Sequence, residues 1–322
     1  MSEPGSLAEL GEFGLIDRVT RDMAPGPQVV VGPGDDAAVV AAPDGRVVIT
    51  TDLLVEGVHF RRDWSSPVDI GRKAAAANLA DVVAMGAVPT ALVVGFGAPG
   101  DLPAAWAVQC TAGIREEAAG VGAVIVGGDV VAAERITIAI TALGDLEDRD
   151  PVLRSGARPG DVLALAGRVG WSAAGLAVLS RGFRAPRLLV DAHRFPDPPY
   201  AGGRAAAIAG ATAMIDVSDG LIADARHVAE ASGVDLAIVT AGWEIPEPIA
   251  AAASAHHVDP LQWMLTGGED HALLAAFPPD TALPEGFRVI GTVRAVGEAG
   301  PGVLVNGHRT GIAGGHEHFR PA

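Results

Sequence analysis

Residues 67–87, PVDIGRKAAAANLADVVAMGA, followed at 91–98 by ALVVGFGA, decide the fold. The first stretch is long and rich in helix formers, so it reads as a helix. The second is an apolar, valine-bearing run bounded by glycine, so it reads as a strand. The same alternation extends outward in both directions. Upstream, QVVVG (28–32) and RVVITT (46–51) predict strands; downstream, DLPAAWAVQCTAGIREEAAG (101–120) predicts a helix, and AVIVGG (123–128) and RITIAITALG (135–144) predict strands. The first half is therefore α/β. At 144–161 the text turns charged and Pro/Gly-punctuated, GDLEDRDPVLRSGARPGD, which marks a boundary between domains at 1–148 and 149–322. A second α/β unit follows, with strands at DVLALAG, AMIDV, HALLAAF, FRVIGTVRA and GVLVNG and helices after WSAAG and after DVSDG.

A chain of 322 residues has length for two cores, since a single core rarely grows past about 250–300 residues. Its formal charge of −16 repels nucleic-acid backbones and anionic lipid, so neither is expected as a partner. A phosphate ligand would need cations between itself and the protein. Cys110 is the only cysteine, which excludes an intrachain disulfide and a multi-cysteine zinc site; in AAWAVQCTAGI it reads as a core thiol. Lys73 is the only lysine among 23 basic residues, so no GK[ST] phosphate loop exists. The polar, acidic N-terminus has no basic and apolar leader pattern, and the Ala-rich run from 74 to 98 is interrupted by Asn78, Asp81 and Pro89, so a cytoplasmic protein is expected.

Acidic residues recur where apolar segments end. GDDAAVV (34–40) sets Asp35 beside Asp36, and TTDLLVEGVHF (50–60) places Thr50, Thr51 and Asp52 at what the pattern predicts to be the C-terminal tip of a strand ending near Thr51. In NLADVVAMG, Asn78 and Asp81 share one face of an apolar helix, where an aspartate costs stability unless partnered. AVIVGGDVV adds Asp129 after two glycines, MIDVSDGL adds Asp216, Ser218 and Asp219, and TGGEDHALL adds Glu269 and Asp270. Each alone also has a plain reading: Asp219 as a helix cap, GGD and GGED as turns, Asp35 and Asp36 as solvated charges. Such sites together point to hard-oxygen ligands for Mg²⁺ bridging to phosphates. Phosphoryl transfer then needs positioning and charge neutralisation; a phosphate monoester acceptor, already largely dianionic near neutral pH, needs no general base.

These motifs, from GEFGLIDRV through GDDAA, TTDLLVEGVHF, KAAAANLADVVAMGA, VGGD, RSGARPGD, DVSDGL and GGEDHALL to HEHF, resemble the thiamine-monophosphate kinase family of the ATP-binding superfamily that includes aminoimidazole ribonucleotide synthetase and selenophosphate synthetase. The resemblance implies two α/β domains, the N-terminal one forming a dimer interface sheet and the C-terminal one packing helices on a mixed sheet. It also implies a homodimer, and in-line transfer from ATP to thiamine monophosphate with several Mg²⁺ ions. Carried over by motif, Asp36, Thr50, Thr51, Asp52, Asp81, Asp129, Asp216 and Asp219 match metal-binding positions, with Asp129 and Asp216 catalytic. Gly128, Asp129, Arg154 and Ser218 match ATP-binding positions, and His59, Glu269 and His316 match substrate-binding ones. His59 also reads as a histidine satisfied by backbone, and Arg154 as a linker charge. The chain departs from the family pattern in GDDAA for GDDCA, and in His316 where a larger aromatic ring is usual. Selenophosphate synthesis is disfavoured by the absence of a reactive cysteine near a lysine in the N-terminal segment. Aminoimidazole ribonucleotide synthesis, a metal-dependent phosphatase and a non-catalytic nucleotide sensor remain as alternatives.

Overall fold

The computed structural model describes residues 6–21, 26–31 and 38–310, so Asp35, Asp36 and His316 lie outside the described residues. Two compact units divide the chain: Met1–Val82 with Ala87–Asp148, and Val83–Gly86 with Arg149–Ala322.

The first unit runs α1 (Leu7–Leu10), α2 (Glu12–Thr20), β1 (Val29–Val31), β2 (Val39–Val40), β3 (Val48–Val55), α3 (Pro67–Ala84), β4 (Val88–Ala98), α4 (Ala104–Ala119), β5 (Val124–Ala132) and β6 (Thr137–Asp145). Its main sheet has the order β3-β6-β4-β5, antiparallel except for the β4/β5 pair that α4 connects. One face is covered and one is open, which β6 displays directly. Ile138, Ile140 and Ala142 are fully buried, whereas Thr137, Ala139, Thr141 and Leu143 between them keep partial exposure. Helix α3 is buried on nearly every side from Lys73 to Ala80. Small residues permit this: a Cβ on Gly71 would lie 2.0 Å from the Cys110 carbonyl oxygen, and one on Gly113 2.1 Å from that of Val68. The α3/α4 contact therefore requires glycine on both helices. Cys110 sits inside it as a core thiol, 1% exposed, its pKa pushed up to about 12 by burial.

The second unit runs β7 (Val162–Ala166), α5 (Trp171–Ser180), α6 (Arg187–Arg194), α7 (Tyr200–Ile208), β8 (Ala213–Val217), α8 (Leu221–Ser232), β9 (Val234–Ile238), α9 (Glu247–His256), α10 (Pro260–Thr266), β10 (Ala272–Phe277), β11 (Phe287–Ala295), β12 (Gly302–Val305) and β13 (His308–Arg309). Its mixed sheet has the order β13-β12-β9-β11-β7-β10-β8. Every residue of β8, β9 and β10 is buried, so both sheet faces are covered there, as continuous apolar runs such as ALLAAF predict. Met214, Leu273, Ala275 and Phe277 pack with Val83, Ala84 and Ala206, and Phe277 meets Phe287 edge to face at 5.4 Å.

The strand-tip expectation for Thr50, Thr51 and Asp52 is corrected. Strand β3 continues to Val55, in unbroken antiparallel register with β6 from Val48↔Gly144 to Val55↔Thr137. A long partner strand and β-branched Thr50 and Thr51 carry the pairing through the motif. Asp129 likewise lies inside β5, which runs through both glycines to Ala132.

Candidate active site

In the first unit, α3 supplies the partners for β3. The Thr50 hydroxyl donates to Asp81 Oδ2 at 2.8 Å, and the Asp52 backbone N–H donates to Asn78 Oδ1 at 2.8 Å. Asn78 is fully buried and is oriented by its own Nδ2 donating to the Ala74 carbonyl at 3.0 Å. The two polar residues spaced three apart on an apolar helix thus both face β3, which removes the penalty an unpartnered aspartate would carry.

Thr51 belongs to the other face. Its hydroxyl donates to the Ile140 carbonyl at 3.0 Å and accepts from Thr141 Oγ1 at 3.3 Å. The register assigns Asp129 to that side as well. Asp52, Ile140, Val94 and Gly128 form one row across the sheet, and Leu53, Ala139, Gly95 and Asp129 form the next, with side chains alternating between faces. Three strand spacings separate Asp52 from Gly128, about 14 Å at about 4.8 Å each. Asp129 is exposed, and its Oδ1 accepts from the next backbone N–H, that of Val130, at 2.9 Å. Within this unit the structure therefore gathers Thr50, Asp52 and Asp81 but places Thr51 and Asp129 apart from them. Gly128 is required for a local reason: a Cβ there would lie 2.1 Å from the Val94 carbonyl oxygen on the neighbouring strand.

His59 follows β3 in a tight loop. The Val55 N–H donates to its Nδ1 at 3.0 Å, which leaves the ring proton of the neutral form on Nε2. Its carbonyl accepts from Nζ of Lys73 at 3.1 Å, so the one lysine of the chain, 5% exposed, anchors this loop from α3.

In the second unit, backbone bonds join the DVSDG and GGED motifs. The Glu269 N–H donates to the Ser218 carbonyl at 2.7 Å, and the His271 N–H to that of Val217 at 3.0 Å. Glycine permits the approach, because a Cβ on Gly268 would lie 2.3 Å from the Ser218 carbonyl oxygen. Glu269 and His271 hold left-handed backbone, with φ of 64° and 52°, uncommon for side-chain-bearing residues and concentrated at functional sites. Asp216, next to last in β8, is 3% exposed and lies 3.1 Å from His271 Nδ1. Asp219 and Gly220 donate their N–H groups to Asp224 Oδ2, both at 3.0 Å. Burial first, then the charges of Asp216 and Asp219, push Asp224 up to about 7 against those two hydrogen bonds.

Asp270 was named from the sequence without its partners, whereas Asp224, His193, Ser232 and His271 were not singled out. Asp270, buried, accepts from the Trp171 and Ser172 N–H groups at 3.0 and 2.9 Å and so anchors the start of α5. Burial pushes its pKa up to about 7 in spite of them. His193 Nδ1 lies 3.4 Å from Glu269 Oε2 and 3.1 Å from Ser172 Oγ, so a histidine of α6 borders the carboxylate assigned to substrate. Ser232 of α8 fixes the loop that carries Arg154. Its hydroxyl donates to the Arg154 carbonyl at 3.0 Å and accepts from the Gly156 and Ala157 N–H groups at 3.1 and 3.2 Å. Arg154 itself is exposed. Asp224, His193 and Ser232 have no motif that marks them. Asp270 and His271 stand in GGEDH, but their contacts are set by tertiary structure.

Among the described residues, no three His, Cys, Asp or Glu side chains converge to hold a metal ion, and no helix is long and apolar enough to cross a membrane.

The chain is similar to known proteins along nearly its whole length. The N-terminal domain of the AIR synthase related protein family matches residues 34–146, and its C-terminal domain matches residues 158–303. The chain is 51% identical over 323 residues to thiamine-monophosphate kinase of Mycobacterium tuberculosis, covering 99% of this chain and 95% of that one. It is 41% identical over 296 residues to the enzyme of Corynebacterium glutamicum, covering 89% and 87%. Among solved structures, AaThiL complexed with AMPPCP and TMP superposes with a TM-score of 0.79 at 30% identity, covering 99% of this chain and 100% of that one.

Proposed function

The chain belongs to the AIR synthase related family and, within it, to the thiamine-monophosphate kinases, and we propose how its residues divide that reaction. It transfers a phosphoryl group from ATP to thiamine monophosphate, giving thiamine diphosphate. The observation that carries this conclusion is the match to the mycobacterial enzyme, 51% identical across 99% of this chain and 95% of that one, together with both family domains.

On the proposed division, Thr50, Asp52, Asp81, Asp216 and Asp219 present oxygen ligands to Mg²⁺, with Asp36, Thr51 and Asp129 as further positions. The donor set fits that ion. Every side-chain donor is a hydroxyl or carboxylate oxygen, and the charges of Asp216 and Asp219, which add to burial in raising Asp224, are an excess of negative charge that a divalent cation would relieve. When bound, such ions would neutralise the charge on the transferring phosphoryl group.

Gly128, Arg154 and Ser218 bind ATP on this reading, and His59, Glu269 and His316 bind thiamine monophosphate. His59, whose Nδ1 accepts the Val55 N–H, is held in place by that bond. Transfer is in line on this reading, and a dianionic phosphate acceptor requires no residue to remove a proton.

The open face of β3-β6-β4-β5 supports a homodimer. Ile49, Leu53, Val93 and Val131 alternate onto that face at 63%, 50%, 38% and 54% exposure, an apolar sheet surface of the kind a second copy covers. Sedimentation showing only monomer at micromolar concentration would contradict this. A cytoplasmic location is proposed from the substrates.

The reading is tested by replacing Asp216 with Asn, which should reduce transfer by about 100-fold or more while the fold persists. Near-normal turnover would remove Asp216 from the site.

A further inference from the structure

His271 is connected to the proposed phosphate site through a side chain that the motif comparison leaves unassigned. It follows Glu269 and Asp270 directly, and its backbone N–H is fixed on the Val217 carbonyl, one residue after Asp216. From there the ring reaches back, so that Nδ1 lies 3.1 Å from Asp216 Oδ2 with the histidine 6% and the aspartate 3% exposed. The neighbouring register, Ala272↔Val217 and Leu273↔Asp216, locks the two strands that carry the pair. The left-handed conformation at His271, φ 52°, is therefore held on both sides by long-range bonds.

We propose that His271 is a positioning residue for Asp216: its Nδ1–H occupies Oδ2 and aims the remaining carboxylate oxygen at the metal and phosphate site. The proposal rests on the assignment of Asp216 made above. A carboxylate offers two oxygens and about four acceptor sites. Left to itself it samples several orientations; with one oxygen engaged it presents the other in a single direction. An imidazole N–H does this without the fixed positive charge of an arginine, so the site keeps the negative potential that attracts a divalent cation. Partners of this kind, one step out from a metal ligand, set metal affinity by about 10- to 100-fold when removed.

Three substitutions in the full-length protein separate this role from packing. His271→Asn keeps a donor near the Nδ1 position, His271→Gln moves the amide to the Nε2 position, and His271→Leu removes the donor while retaining bulk. Mn²⁺ binding is measured by the loss of free-ion paramagnetic resonance signal when protein is added to Mn²⁺ and a non-hydrolysable ATP analogue, against a protein-free blank for the Mn²⁺ held by the analogue itself, and analogue binding is measured separately in EDTA. The expected result is that Leu and Gln each weaken Mn²⁺ binding by about 10-fold. Asn should stay within about threefold of wild type, and EDTA-stage nucleotide affinity should be unchanged in all three. Turnover should fall in kcat at saturating nucleotide, with the KM for thiamine monophosphate retained. Wild-type Mn²⁺ affinity in the Leu variant overturns the proposal. So does equal weakening in Asn, Gln and Leu, which would mark a packing role. Should the Leu variant fail to fold, the Asn and Gln pair decides alone. A wild-type protein that binds Mn²⁺ but forms no thiamine diphosphate would overturn the functional reading instead, and the Mn²⁺ comparison would still decide the role of His271.

Discussion

Replacing Asp270 with Asn should change how stability depends on pH, and the structure supplies both the sign and the size. Asp270 is 5% exposed and accepts two N–H groups from the start of α5, 98 and 99 residues away. Burial dominates and raises its pKa from the ordinary 3.8 to about 7, while the hydrogen bonds and Arg168 act in the opposite direction. The folded state therefore holds a proton that the unfolded state has released between about pH 4 and pH 7. Stability from this group is fully present below pH 4, declines as pH rises through that window, and is level above about pH 7. The span from 3.8 to about 7 corresponds to about 4 kcal/mol, at about 1.4 kcal/mol per pH unit.

Asparagine has the same shape and no titration. It accepts one of the two N–H groups and sets its own amide against the other, at a cost of about 1–3 kcal/mol independent of pH. Urea unfolding of wild type and Asp270→Asn at intervals from pH 4.5 to 8 gives two stability curves, and their difference cancels the other carboxylates. The wild-type advantage should shrink by up to about 4 kcal/mol across the range, and the variant should equal or exceed wild type at the alkaline end. Parallel curves would refute the reasoning. A wild-type advantage that grew with pH would show that the helix N–H groups, not burial, govern this carboxylate.

Other outcomes follow from close contacts and proposed roles. Gly128→Ala puts a methyl 2.1 Å from the Val94 carbonyl oxygen and should destabilise the first unit by about 1–3 kcal/mol or more, read as a lower urea midpoint; an unchanged midpoint would mean β4 and β5 separate freely. Glu269→Gln should raise the KM for thiamine monophosphate more than it affects ATP binding, which separate titrations of the two ligands check; parallel losses would reassign Glu269. Gly113→Ala drives a methyl to 2.1 Å from the Val68 carbonyl oxygen, so α3 should shift and carry Asn78 and Asp81 with it. Loss of both thermal stability and kcat is expected, and a fully active variant would count against α3 as the scaffold of the site.

Much of the architecture was legible because the signals are local. Valine and isoleucine runs marked β4, β5 and β6, and the Ala-rich stretches marked α3 and α4, where composition and tertiary structure agree. What escaped depends on pairing between distant segments. The end of β3 could not be read from RVVITTD, because β6, some 90 residues later, extends it to Val55. The side taken by Asp129 depends on a register shift between Leu92 and Val93, where Val126 is inserted into β5, and one inserted residue reverses the face of all that follow. The partners of Asp270, His271 and Glu269 come from α5, β8 and α6, and no spacing in GGEDH announces them. Asp81 was the favourable case: an aspartate on an apolar helix demanded a partner, and Thr50 is that partner.

The most direct test of the central claim is to incubate the purified protein with ATP, MgCl₂ and thiamine monophosphate and to separate the thiamine species chromatographically, with parallel reactions lacking ATP or containing EDTA. Thiamine diphosphate should form only when ATP and Mg²⁺ are both present. Free thiamine and phosphate appearing without ATP would identify a phosphatase, and ATP binding with no diphosphate formed would contradict the kinase assignment.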